Sequence, residues 1–87
     1  MVGVVKRVSQ EARCFVVEIE DSFTVFETEE AGDVETGDVE TGDVIEGDLL
    51  SATCESVVNH TKDVEIDVYV RDIVTTLTAA EALLDGE

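Results

Sequence analysis

The chain has 87 residues, 44% of them hydrophobic, and carries 22 Asp and Glu against 5 Lys and Arg, a formal net charge of -17. Alternating runs of Val, Ile and Phe argue against disorder, and no stretch approaches the roughly 18 apolar residues of a membrane span. Residues 27–48 hold 10 of the acids and no base, yet the remaining 65 residues still carry 12 acids against 5 bases, so the acidity belongs to the whole chain and not to one binding tail.

A chain of this length forms one small domain, residues 1–87, that buries roughly 60% of its unfolded surface and has little room for an elaborate cavity. Period two dominates from the start. Val2, Val4 and Val8 alternate with Gly3, Arg7 and Ser9, which predicts a first strand; no signal peptide opens the chain, so a cytoplasmic setting is expected. A turn through Ser9 to Ala12 leads to a second strand, where Phe15, Val17 and Ile19 alternate with Val16, Glu18 and Glu20. After a turn at Asp21-Ser22, Phe23 and Val25 face one way and Thr24 and Phe26 the other in a third strand, completing an antiparallel meander.

An acidic segment at about 30–44 follows and contains a tandem duplication, Glu35-Thr36-Gly37-Asp38-Val39 and Glu40-Thr41-Gly42-Asp43-Val44, with Gly-Asp recurring at Gly32, Gly37, Gly42 and Gly47. Two copies are too few to stack into a solenoid. The segment reads as a lengthened polar loop whose glycines supply turns. Its carboxylates lack the spacing that gathers ligands round calcium, so no metal site is assigned.

Leu49 to Val58 reads as the fourth strand, with Leu50, Ala52 and Cys54 on one side, and turns through Asn59 to Asp63. The cleanest alternation comes next: Val64, Ile66, Val68 and Val70 oppose Glu65, Asp67, Tyr69 and Arg71 in a fifth strand, whose phase Asp72 breaks at a bulge or strand end. Thr78-Ala79-Ala80-Glu81 has the spacing of a capping box and predicts a short helix through Leu84, with Gly86 as its stop. The β-branched run Ile73-Val74-Thr75-Thr76 argues against an earlier start. Five short strands and one terminal helix predict a mostly β, closed or nearly closed antiparallel barrel, which removes edge strands; OB-like and SH3-like strand orders both fit.

Three features, Gly3-Val4-Val5-Lys6, the Phe15 and Phe23-Thr24-Val25-Phe26 strands, and Gly42-Asp43-Val44-Ile45-Glu46-Gly47-Asp48, resemble OB-fold proteins of the cold-shock and S1 type over residues 2–54. Ala12-Arg13-Cys14-Phe15 departs from the cold-shock signature in offering one aromatic. The resemblance implies binding of single-stranded RNA or DNA on the barrel face. The sparse bases give that expectation residues: Lys6, Arg7, Arg13 and Arg71, with Phe15, Phe26 and Tyr69, form the candidate surface. The competing reading places those bases in ion pairs within an excess of carboxylates. A partner protein, or a second copy held through a barrel edge and the helix, is the alternative.

The composition, with two lysines and no Trp, resembles that of cytoplasmic proteins of haloarchaea. In molar salt the screening length falls to about 3 Å and mutual repulsion of carboxylates is quieted. Catalytic motifs are absent and no enzyme activity or cofactor is expected: His60 with Cys54 and Asp63, or with Cys14 and Cys54, matches no zinc spacing. The cysteines read as thiols serving as small buried hydrophobes.

Overall fold

A computed structural model of the chain describes residues 1–9, 13–28 and 39–85. The expected turn at residues 10–12, the first copy of the repeat up to residue 38 and the stop at Gly86 lie outside the described residues. The elements are β1 (Val2–Ser9), β2 (Cys14–Ile19), β3 (Ser22–Thr28), β4 (Val44–Glu46), β5 (Ser56–Asn59), β6 (Val64–Val74) and the helix α1 (Leu77–Asp85). They form a closed antiparallel barrel in the order β1-β2-β3-β6-β5-β4, with β4 returning to β1. The expected mostly β barrel with a short C-terminal helix is therefore observed, with six strands among the described residues where the sequence predicts five.

The extra strand comes from the region read as one long fourth strand. Ser51 N–H donates to the Asp48 carbonyl and Cys54 N–H to the Ser51 carbonyl, both at 3.1 Å, so residues 48–54 form successive turns and the ladder restarts only at Ser56. Leu49 is fully buried while Leu50 and Ala52 are exposed. The buried Thr24 hydroxyl donates to the Leu49 carbonyl at 2.7 Å, fixing this turn against β3 and sinking Leu49 into the barrel.

Two apolar layers share the wall of β2 and β3. Val5, Phe15, Val17, Ile19, Phe26, Ile45, Leu49, Cys54, Val57, Ile66 and Val68 fill the barrel, together with Val39. Cys14, Val16 and Val25 on the outer surface are covered by Ala80 and Leu84 of α1, with Phe23, Val74, Leu77 and Leu83 around them. The cap lies two residues earlier than the capping-box spacing predicts, at Thr76 and not Thr78: the Thr76 hydroxyl accepts the Ala79 N–H at 3.1 Å.

The face assignment of β1 also differs from simple alternation. A register shift between Val5 and Arg7 moves the strand's inner face, so Val5 and Val8 pack inward while Val2 and Val4 are exposed. Gly3 shares the inner face, where an added Cβ would stand 2.5 Å from Val17 Cγ1 and 2.6 Å from the Glu18 carbonyl oxygen. Any side chain there would force the β1–β2 pair apart. A second shift, between Val25 and Phe26, leaves Arg71 as the extra residue of β6, and the strand runs on through Asp72 to Val74.

Candidate functional site

The barrel separates the seven residues of the expected nucleic-acid surface. Phe15 and Phe26 are a cross-strand pair whose rings stack at 5.4 Å inside the barrel, and both are fully buried. Neither ring has surface to offer a base, which corrects their place in the binding face. Alternation alone could not have told this, because β2 is apolar on both sides, with Phe15, Val17 and Ile19 in the barrel and Cys14 and Val16 under α1.

The bases divide in the same way. Lys6 pairs with Glu18 at 3.3 Å across β1 and β2, and Arg7 reaches Glu81 on α1. Arg7 thereby ties the helix to the barrel wall. Lys62 pairs with Glu40 at 2.6 Å and lies 3.9 Å from Asp43. Arg71 stands 3.8 Å from Glu27. Arg13 makes no ion pair among the described residues and is exposed, at a positive φ of 56° where the chain enters β2.

What the fold does bring together is Arg13, Tyr69 and Arg71. Cys14 of β2 is paired with Glu27 of β3, and Glu27 with Tyr69 of β6, so these three form one row across the sheet, with Arg13 next to Cys14 in the chain and Arg71 two residues beyond Tyr69. Tyr69, the chain's single tyrosine, is 45% exposed and donates its hydroxyl to Glu27 Oε2. That bond pushes the hydroxyl above its ordinary value, while the charge of nearby Arg13 pulls it the other way. Arg71 sits at the β6 bulge, its Nη1 3.6 Å from the buried Cys14 Sγ and its Nε toward Glu27. Glu27 is thus the residue that the sequence reading missed. Its signal was its place directly across β3 from both Cys14 and Tyr69, which becomes visible only once strand order is known.

A second cluster surrounds the second copy of the repeat. Asp43 is buried, accepting the Glu40 N–H at 2.9 Å and the Asn59 side-chain amide at 2.8 Å through Oδ2. Gly42, at φ 96°, turns the chain so that its N–H reaches the Val5 carbonyl at 2.8 Å, while Val5 N–H reaches the Asp43 carbonyl at 2.9 Å. The bond to Glu40, with Asp43 nearby, raises the Lys62 ammonium above its ordinary value. This arrangement seats the repeat turn on β1 and β5.

The thiols and the histidine lie apart. Cys14 is under α1 and Cys54 is in the barrel, where burial pushes its thiol up and the Sγ donates to the Ser56 carbonyl at 3.4 Å. Exposed His60 contacts Glu46, and that bond holds the Glu46 carboxyl below its usual value. No group of three or more metal-ligating side chains occurs among the described residues. No helix among them is long and apolar enough to cross a membrane. Comparison of the chain with protein-family models, with curated proteins and with solved structures returns no match. The architecture, a small closed antiparallel barrel, is consistent with an OB-like fold.

Proposed function

We propose that this protein is a small β-barrel binding module, working in a salt-rich cytoplasm, that engages single-stranded RNA or DNA at the outer surface of β2, β3 and β6. The observation that carries this reading is the exposed Tyr69 ring standing with the Arg13 and Arg71 guanidiniums on an otherwise acidic molecule. An exposed aromatic face takes a base by stacking, worth about 1–3 kcal/mol, and guanidinium forks suit the flanking phosphates. The site is far smaller than the seven-residue face expected from sequence. It therefore fits one or two nucleotides of a strand, with affinity resting on stacking because high salt removes most of the counterion-release term.

Substituting both Arg13 and Arg71 with Glu tests the reading. Binding of a single-stranded oligonucleotide in high salt is expected to be lost while the backbone spectrum stays folded, and unchanged affinity would refute it. A protein partner is the second reading, favoured by the adjacent exposure of Met1, Val2 and Val4 at the start of β1. The version of that reading in which two copies share a barrel edge finds no support, since the sheet closes on itself. The Ala80 and Leu84 face of α1 is likewise occupied by its own barrel.

A further inference from the structure

We infer that Glu27 is a built-in occupant of the anion position beside Tyr69 and Arg71, and that a phosphodiester of a bound strand takes its place. This inference rests on the nucleic-acid reading above and adds to it how the site is kept closed when empty of ligand.

The geometry is that of a substitute ligand. One carboxylate oxygen of Glu27 accepts the Tyr69 hydroxyl, and the other faces Arg71 Nε. A phosphate oxygen approaching the outer surface would seek the same two donors. The Arg71 contact is loose: 3.8 Å is about 1 Å longer than a charge-assisted hydrogen bond. A part-exposed pair of this kind is worth little, so an incoming group that makes closer contacts displaces it readily.

Arg71 does not depend on Glu27 for its position. Its Nη1 contacts the Cys14 sulfur at 3.6 Å, and its backbone is fixed by the bulge opposite Val25 and Phe26. The guanidinium therefore keeps its place when the carboxylate turns away. Tyr69 likewise stays on the strand, and its ring is released from a fixed hydroxyl bond to stack on a base. Arg13 adds a second positive charge within electrostatic reach of Tyr69. With Glu27 in place the cluster of Arg13, Arg71 and Glu27 has a net charge of about +1, and without it about +2, which is the difference a polyanion senses.

The experiment compares wild type with Glu27→Gln, an isosteric change that keeps a hydrogen-bond acceptor for Tyr69. Affinity for a dye-labelled oligothymidylate is read by anisotropy in high salt, with the Glu27 side-chain carboxyl carbon and the Tyr69 ring followed by NMR. Glu27→Gln is expected to bind about two- to fivefold more tightly, the ratio to which a loose, part-exposed pair of up to about 1 kcal/mol converts. In wild type the Glu27 carboxyl resonance is expected to move in step with the Tyr69 ring as the site fills. Equal or weaker binding by the variant, or a Glu27 resonance that stays fixed at saturation, overturns the inference while leaving nucleic-acid binding standing. Absence of binding by both proteins overturns the nucleic-acid reading itself, and the inference with it.

Discussion

Among the described residues Asp43 is the acid held inside the fold, and its partners explain why burial is tolerated. A carboxylate taken out of water needs hydrogen bonds to replace those it loses. Here the Glu40 N–H and the Asn59 amide supply them, with Lys62 Nζ 3.9 Å from the other oxygen. The same residues bind three places in the chain: the repeat turn, the end of β5 and the turn after it, where Lys62 N–H donates to the Asn59 side-chain Oδ1 at 3.2 Å. Asp43→Ala is expected to lower stability by about 1–3 kcal/mol, the penalty for removing an acceptor from buried donors. Urea unfolding should show this as a lower midpoint with an unchanged slope. A loss within a few tenths of a kcal/mol would mean that the turn is held by its backbone bonds to Val5 alone.

At the scale of elements, the duplication acquires a physical meaning from where its second copy sits. Glu40, Gly42, Asp43 and Val44 each make a contact that seats the turn, and Val39 just before them is buried in the barrel. Deleting residues 35–39 brings Val34 next to Glu40 and so restores a valine at the buried position. The deletion is expected to leave the melting temperature within a few degrees of wild type, since shortening the connection between β3 and β4 by five residues changes its closure entropy by well under about 1 kcal/mol. A cooperative unfolding curve lost in the deletion protein would show that the first copy carries structure of its own.

The strands with clean period-two patterns, β1, β2, β3 and β6, were legible because alternation is what a barrel wall requires. Which side faced in was not legible for β2, where both sides are apolar, nor for β1, where the shift after Val5 puts Val5 on the inner face with Val8 and leaves Val2 and Val4 outside. The fourth strand was misread for a related reason. Leu49 and Cys54 are buried like strand residues, but they are delivered by turns closing on Asp48 and Ser51. Of the site, Arg13, Tyr69 and Arg71 were recoverable from residue type alone. Glu27, one of many acids, had no mark in the sequence to distinguish it.

For the whole molecule, closure is the decisive property. A barrel in which every described strand is paired hides the backbone donors and acceptors of those strands, which leaves side chains on the outer wall as the groups a ligand would meet. The net charge of -17 then bears on the salt conditions in which the barrel is stable. Self-repulsion among carboxylates is expected to destabilise the barrel in dilute buffer, so the melting temperature should rise as potassium chloride is raised from about 0.1 M to about 2 M, over which the screening length falls from about 10 Å to below 3 Å. A melting temperature independent of salt would show that the acids are already balanced by local pairing.

An NMR titration of labelled protein with short single-stranded RNA and DNA in about 2 M potassium chloride, where screening reaches only about 2–3 Å, tests the proposed role of the outer surface around Tyr69 most directly. The predicted result is a saturable set of shifts centred on Arg13, Glu27, Tyr69 and Arg71, with Phe15 and Phe26 unmoved inside the barrel. A dispersed spectrum in which those four residues stay fixed throughout the titration would contradict it.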